Sequence, residues 1–232
     1  MLENLDDIII VNLGFFSINA TLFFSWIVMA VLVIGSWLIT RNLKASAQVS
    51  RFQTFLELIV TSMRDQIHEV SGDNPMKYLP MMGTFFLFIA VSNVLTIIPW
   101  FKAPTTSLST TAAFASCVFC AIPYYGIKNA GILGYLKKFI DPTPFMLPLN
   151  ILSDFSSIFS LALRLYGNMF AGAVLIAVLM MSVPFFIPLP LQILGLVTGT
   201  IQAYIFALLA IVYVSAVAPN EAYVQSDTKK GV

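Results

Sequence analysis

Long apolar runs separated by short polar stretches dominate the chain and predict its secondary structure. A helix needs about 20 largely apolar residues to cross the hydrocarbon core of a bilayer. Five stretches reach this length, and they run over residues 15–40, 78–101, 108–127, 145–183 and 189–218. The pattern predicts an all-α integral membrane protein with about five transmembrane helices.

Residues 44–72 follow a different pattern, in which apolar and charged positions alternate at helical spacing. The apolar positions are Phe52, Phe55, Leu56, Ile59, Val60, Met63 and Ile67, and Arg51, Glu57, Arg64, Asp65, His68 and Glu69 lie between them. This spacing is typical of an amphipathic helix that lies along a membrane surface. Two interpretations stay open, namely a helix that serves a peripheral partner and a plain connector between two spans.

The last two apolar stretches, 145–183 and 189–218, are longer than a bilayer crossing requires. A helix from Leu149 to Ser182 would be roughly 50 Å long, whereas the hydrocarbon core is about 30 Å thick. We therefore expect the two helices to form a strongly tilted antiparallel hairpin. Residues 219–232 follow as a polar tail, and residues 1–232 together are predicted to be a single membrane domain.

Composition excludes several functional classes. Hydrophobic residues make up 59% of the chain and charged residues 10%, which leaves little polar surface for a separate soluble domain. The net charge of +1 provides no basic face for a nucleic acid. Cys117 and Cys120 lie in an apolar run without acidic or histidine neighbours, so we expect them to be buried in helix packing, with neither a metal nor a bound cofactor. The chain has no phosphate-binding glycine motif, so we expect any ATP chemistry to take place in another chain.

The basic residues indicate how the spans are oriented. Ten of the twelve Lys and Arg residues fall in the 41–77 loop, the 128–144 loop and the tail. Cytoplasmic loops are enriched in Lys and Arg. The predicted topology therefore has the N-terminus outside and the C-terminus in the cytoplasm. The acidic N-terminus lacks the basic region of a signal peptide, so we expect it to be retained.

One charge, Arg164, lies about 20 residues from either end of the 145–183 stretch. A charged side chain at this depth costs about 2.5–3.5 kcal/mol on translocon-based scales, and a guanidinium cannot lose its proton in proteins. Asp154 precedes it by ten residues, or about 15 Å along a helix. Pairing within the helix is therefore excluded, and we expect the counter-charge on another subunit.

Polar residues around Arg164 recur every three or four positions and predict one polar face. They are Asn150, Ser153, Ser157, Ser160 and Asn168, and the next helix repeats the spacing with Gln192, Gly195, Thr198, Gly199 and Gln202. We expect small residues of the two faces to pack together, and Asn168 and Gln202 to surround the guanidinium. An alternative is a secondary transporter that binds an anionic substrate through Arg164, but the chain lacks the duplicated halves common in transporters. A structural membrane scaffold would not need such a charge.

Two segments resemble subunit a of F-type rotary ATP synthases. They are FSLALRLYGNMFAG (159–172) and IQAYIFALLAIVYVS (201–215), and the stretches PLNILSDFS and SNVLTIIPWFKAPTTSLSTTAA extend the resemblance over most of the chain. The segment GILGYLKKFIDPTPFMLPLN is most similar to the N-ATPase branch. The resemblance implies a stator subunit in the bacterial cell inner membrane, whose partners are the c-subunit ring, the b-subunit peripheral stalk, the remaining F1Fo subunits and lipid.

The resemblance also implies a role for each residue of the polar face. Arg164 would be the essential counter-charge to the ion-binding carboxylates of the c ring. Ser160, Asn168 and Gln202 would orient it or line one of two half-channels. Asp154, together with Ser157 and Asn150, would lie along an ion path, although a surface carboxylate is nearly as good an interpretation of Asp154. The resemblance also matches Asn93 and Tyr213, which we assign first to packing or hydrogen bonding.

Two departures from the family pattern concern the transported ion. Many proton-driven relatives carry a carboxylate where this chain has Ala173, and His or Glu where it has Gly195. Their absence leaves a water-lined path able to pass either H⁺ or Na⁺. Ion choice is expected to reside mainly in the ring.

Overall fold

The computed structural model describes residues 9–12, 17–41, 51–72, 75–98, 101–140, 146–182 and 188–217, most of which are helical. The helices are α1 (Ala20–Thr40), α2 (Arg51–Ser71), α3 (Leu79–Leu95), α4 (Leu108–Ile140), α5 (Met146–Ser182) and α6 (Pro188–Val217). Two short antiparallel strands, β1 (Ile9–Asn12) and β2 (Ser17–Asn19), precede α1. The predicted all-α membrane class is confirmed, and this small ribbon is an addition that the hydropathy pattern did not indicate.

Four of the helices, α1, α4, α5 and α6, are long and apolar enough to cross a membrane. The remaining predicted span, 78–101, contains the shorter apolar helix α3 of 17 residues. At about 1.5 Å per residue α3 is about 26 Å long, slightly less than a hydrocarbon core of about 30 Å. The helix ends at Leu95, before the apolar run itself ends. The backbone N–H groups of Thr96, Ile97 and Ile98 donate hydrogen bonds to carbonyl oxygens three residues back, and these bonds form turns in place of the helix.

Helix α4 extends beyond the predicted span 108–127 but is not continuous. Gly131 has φ 72° and ψ 166°, a conformation that is essentially restricted to glycine. The apolar part that can span a membrane is Leu108–Asn129. Gly131 therefore separates a spanning segment from a shorter helical segment that continues to Ile140. The predicted burial of Cys117 and Cys120 in the spanning segment is wrong, because both are exposed on α4 and no other helix of the described chain covers them.

The amphipathic region forms α2, which ends at Ser71 and is followed by Gly72, whose φ is 61°. Residues 42–50, where the predicted helix 44–72 would begin, lie outside the described part of the chain. Met63 and Ile67 are buried in a cluster that also holds Ile211 and Val214 of α6. Met63 and Ile67 therefore pack against protein, whereas Val60, also predicted on the apolar face, is 46% exposed.

Helices α3, α4, α5 and α6 form the core of the bundle, which contains two apolar clusters. The α2-side cluster comprises Met63, Ile67, Tyr78, Met82, Ala115, Ile122, Ile158, Ala162, Ala207, Ile211 and Val214. The central cluster comprises Phe85, Ile89, Val118, Leu161, Leu165, Met169, Ala203, Phe206 and Ala210. The residues that α5 contributes to the α2-side cluster lie nearer its start than those it contributes to the central cluster, whereas for α6 they lie nearer its end. Helices α5 and α6 therefore run antiparallel, as the predicted hairpin requires.

Candidate functional site

Arg164 lies close to the middle of the longest apolar helix. The apolar part of α5 runs from Leu147 to Leu179, and Arg164 is 17 residues from its start and 15 from its end. These separations correspond to about 25 Å and 22 Å along a helix. The flanking Leu161 and Leu165 are each at most 1% exposed, so the helix is anchored on both sides of the arginine.

The two faces of α5 around Arg164 have different environments. The face toward the bundle is buried and consists of Ile158, Leu161, Ala162, Leu165 and Met169. The opposite face is exposed and consists of Ser160, Leu163, Arg164, Gly167, Asn168 and Ala171. The three predicted residues Ser160, Arg164 and Asn168 therefore share a face that is directed away from the other helices of this chain.

Arg164 has no counter-charge near it in the sequence. It is the only charged residue between Asp154 and Glu221. Within the described ranges, no hydrogen bond or ion pair joins its guanidinium to another side chain. Gly167, three residues further on, has no atom within 4 Å of the position that a Cβ would take. The surface beside the guanidinium is therefore open to the close approach of another molecule.

The predicted polar residues nearer the start of α5 are held within their own helix or in other contacts. Ser157 Oγ donates a 2.9 Å hydrogen bond to the Ser153 carbonyl oxygen, a common arrangement for a hydroxyl in an apolar helix. Asn150 and Asp154 are half-buried, and each takes part in a further interaction. Their assignment to an ion path stays a prediction.

Gln202 lies in the interior, away from the exposed face that carries Arg164. It is 5% exposed, and its Nε2 atom is buried without a hydrogen-bond partner among the described residues. No hydrogen bond connects it with Asn168 or Arg164 in that part of the chain. The arrangement of both amides around the guanidinium stays a prediction.

The expected packing of small residues between α5 and α6 is wrong. A Cβ at Gly167, Gly172 or Gly195 would meet nothing within 4 Å, whereas one at Gly199 would lie 2.5 Å from Asn93 Nδ2 on α3. The close approach therefore joins α6 to α3. The equal spacing of the two polar faces misled the prediction, because spacing along one helix does not determine which neighbouring helix it contacts.

The sequence assigned Asn93 to packing or hydrogen bonding but did not indicate the residue that it packs against. Asn93 is 4% exposed, and its Nδ2 atom has no hydrogen-bond partner in the described chain. A lone Asn in an apolar helix and a glycine one turn before Gln202 were the available signals. Neither signal predicts that the two residues meet.

The exposed face of α5 continues beyond Asn168 as an apolar surface. The rings of Tyr166 and Phe170 are stacked with centroids 5.2 Å apart. Beyond them a shallow groove is lined by Phe170, Ala171, Val174, Leu175 and Val178. A charge, a glycine and an apolar groove therefore follow one another on one side of one helix.

Comparison with known proteins places these features in a family. Residues 22–215 match the family model described as ATP synthase A chain. The chain is 53% identical to ATP synthase subunit a 2 of Acaryochloris marina over 203 residues. This alignment covers 88% of this chain and 87% of that protein. It is 50% identical over 211 residues to ATP synthase subunit a of Albidiferax ferrireducens, covering 91% of each chain. Subunit a 1 of Crocosphaera subtropica is 50% identical over 211 residues, covering 91% of this chain and 92% of its own length.

Proposed function

The chain belongs to the ATP synthase A chain family, and we propose that it is the membrane stator subunit that passes ions to and from the carboxylates of a rotating c ring. The family match gives no support to the transporter alternative. The observation that carries the proposal is Arg164, a charge exposed at the middle of an apolar span without a partner in the described chain. A buried or membrane-embedded charge requires compensation. A carboxylate on a partner helix provides it.

The guanidinium controls whether that carboxylate holds its ion. Two opposite unit charges 4 Å apart attract by about 4 kcal/mol at an effective dielectric constant of 20. This attraction favours the ionised, ion-free carboxylate as it passes Arg164, so the ion leaves on one side and the next site loads on the other. The same positive charge repels a cation that would cross directly. Net flow of H⁺ or Na⁺ then requires rotation, which couples it to ATP synthesis or hydrolysis in the rest of the complex.

The remaining polar residues supply two half-channels in this proposal. Ser160 and Asn168 share the face of Arg164 and offer oxygen atoms to an approaching ion. Gln202 lines the interior side, and Ser157, Asp154 and Asn150 continue the path towards the start of α5. The exposed Gly167 allows a ring helix to approach this face closely.

Assembly follows from the same role. The other subunits of ATP synthase are the partners of a subunit of this family, and we propose direct contact with the c ring and with the b-subunit peripheral stalk. The chain does not catalyse ATP chemistry alone. We place it in the bacterial inner membrane with the N-terminus outside and the C-terminus in the cytoplasm.

Replacing Arg164 with Ala in the complete complex tests the proposal. In proteoliposomes, R164A should lower ion-driven ATP synthesis by at least about 100-fold, since about 4 kcal/mol of attraction is lost. Subunit content should stay normal. The control is R41A, because Arg41 is an exposed arginine at the end of α1 whose guanidinium lies over the Trp37 ring. R164A complexes that synthesise ATP at the rate of R41A complexes would refute the mechanism.

A further inference from the structure

One contact between α3 and α6 places the side-chain amide of Asn93 against the backbone of Gly199. A Cβ at Gly199 would lie 2.5 Å from Asn93 Nδ2, 2.7 Å from Cγ and 2.9 Å from Oδ1. The carboxamide therefore lies across the backbone of Gly199. Since Asn93 is only 4% exposed, it has little room to give way. A side chain at position 199 has to displace either Asn93 or α6 itself.

This contact lies within a row of contacts that determines how α6 runs along α3. Towards the start of α6, Gln192 Nε2 donates a 3.0 Å hydrogen bond to the Thr96 carbonyl oxygen. Further along, the rings of Phe206 and Phe85 meet edge to face with centroids 5.7 Å apart. The amide on Gly199 lies between these two contacts. It is a close contact with main chain, which cannot rotate away as a side chain can, so it fixes the register.

The register of α6 in turn determines where Gln202 lies. Residues three apart on a helix share a face, so Gln202 follows Gly199 on the side towards α3. The Nε2 atom of Gln202 has no hydrogen-bond partner among the described residues. The position of Gln202 is therefore set by the helix and not by a hydrogen bond of its NH₂ group. The next residue, Ala203, shares the central cluster with Leu165, the neighbour of Arg164. A shift of α6 on α3 therefore moves Gln202 relative to the level of Arg164.

We propose that Asn93 is a positioning residue for ion translocation, which acts by holding Gly199, and through it Gln202, at a fixed height on α3. Asn93 acts through the helix and does not need to touch the ion. The inference rests on the proposed function, because Gln202 matters only if the chain conducts ions near Arg164. Glycine is required at position 199 because the Asn93 carboxamide occupies the space of a side chain.

Paired substitutions in the complete complex test this inference. The variants are G199A, N93A and the double variant N93A/G199A, with G83A as the matched control. Gly83 is also a helical glycine, but a Cβ there would meet nothing within 4 Å. Each complex is reconstituted in vesicles and compared at equal content of assembled subunits, in ion-driven ATP synthesis and in ATP-driven ion uptake.

G199A should lower both rates by about tenfold to 100-fold, since a misplacement of about 1 Å in an active site has effects of this size. G83A should match the unmodified complex. The double variant should recover to the rate of N93A alone, because removal of the carboxamide makes room for the new methyl group. Full activity of G199A would overturn the inference, and so would a double variant as impaired as G199A.

Labelling separates a shift in register from a general folding defect. In complexes in which Cys117 and Cys120 are replaced by Ser, Q202C reports the position of residue 202. Maleimide should label this cysteine slowly in the otherwise unmodified chain, because the site is 5% exposed. It should label faster when G199A is added, and in the double variant N93A/G199A it should label at the rate found with N93A alone. Unchanged labelling with G199A would contradict a role in positioning.

Comparison with the R164A complex separates failure of the positioning inference from failure of the proposed function. If R164A loses ion-driven synthesis and G199A does not, the positioning inference fails while the proposed function stands. If R164A keeps synthesis, the proposed function fails, whatever G199A does.

Discussion

The guanidinium of Arg164 is exposed on α5, while the amide of Asn93 is buried against α6. Both are polar groups in apolar helices, but the two positions have different physical requirements. The charge needs an opposite charge, which no described residue of this chain provides. The amide is accommodated by shape, because Gly199 leaves room for it. The first group therefore indicates a partner outside the chain, and the second a fixed contact within it.

Replacing Arg164 with Lys separates the charge from its geometry. Lysine keeps the positive charge but loses the planar guanidinium, which can bind a carboxylate through two parallel hydrogen bonds. The loss of one such bond is worth about 1.4 kcal/mol, or about tenfold in an equilibrium. We expect R164K to lower ion-driven ATP synthesis about tenfold, against at least about 100-fold for R164A. Equal rates for R164K and the unmodified complex would show that charge alone suffices.

Replacing Gly167 with Leu tests whether the exposed face of α5 receives another helix. Gly167 lies one turn beyond Arg164 in open space, so the leucine does not disturb the packing of this chain. It should instead keep a ring helix away from the guanidinium and lower coupled ATP synthesis at least about tenfold. G35L is the control, since Gly35 of α1 also has open space around it. If both variants retain normal synthesis, this face does not contact the ring.

At the residue scale, the sequence predicted Arg164 better than it predicted Asn93. A charge in an apolar run is improbable by composition alone, so its position in the sequence indicates function. Asparagine is compatible with a buried contact, a lipid-facing helix end or an ion path. Only the three-dimensional packing shows that Asn93 lies on Gly199, because this contact joins residues more than a hundred positions apart.

The helices themselves follow from hydropathy and spacing, but some of their ends do not. Helix α5 (Met146–Ser182) lies within the predicted stretch 145–183 because apolar residues predominate along it and only Asp154 and Arg164 are charged. Helix α3 ends at Leu95 although the apolar run continues, since local turns compete with the helix there. The break at Gly131 depends on a backbone conformation, which hydropathy does not report.

Helix α2 gives a prediction at the element scale. Its buried residue Ile67 is 1% exposed in the α2-side cluster, whereas Val70 is 38% exposed. Truncation of a buried Ile to Ala costs about 2–5 kcal/mol, largely through the cavity left behind. I67A should therefore lower the local unfolding free energy of α2 by about that amount, while V70A should change it by less than about 0.5 kcal/mol.

Hydrogen exchange of the α2 amides in the purified complex measures this difference, because local opening determines the exchange of such amides. An equal effect of the two variants would mean that α2 rests on the membrane surface and does not depend on α6.

For the whole molecule, the packing brings the start of α3, beside Lys77, and the end of the spanning segment of α4, beside Lys128, to one end of the bundle. Tyr125 donates a 3.2 Å hydrogen bond to the Lys77 carbonyl oxygen, and Asn129 donates a 3.0 Å bond to the Tyr78 hydroxyl. These bonds join the start of α3 to α4 near the end of its spanning segment. Since loops rich in Lys and Arg favour the cytoplasm, this end is the one we assign to the cytoplasmic side.

In the proposed function the transported ion is a property of the whole complex, to which this chain would contribute a path. Between Asp154 and Glu221 its only charged residue is Arg164, and the positions 173 and 195 carry Ala and Gly. A relay of protons through side chains needs groups that gain and lose protons near neutral pH. Beyond Asp154 the segment provides hydroxyl and amide oxygens, which can line a water-filled path for either H⁺ or Na⁺.

Sodium transport and proton transport are therefore both compatible with this chain, and one experiment separates them. If Na⁺ is the ion, ATP-driven uptake of radioactive sodium into proteoliposomes should rise when a protonophore is added, because proton flow then cancels the voltage that opposes further uptake. A sodium ionophore should abolish the accumulated gradient and serves as the control. If the protonophore instead abolishes all transport, the ion is the proton, and water molecules must carry it past Ala173 and Gly195 without a titratable side chain at either position.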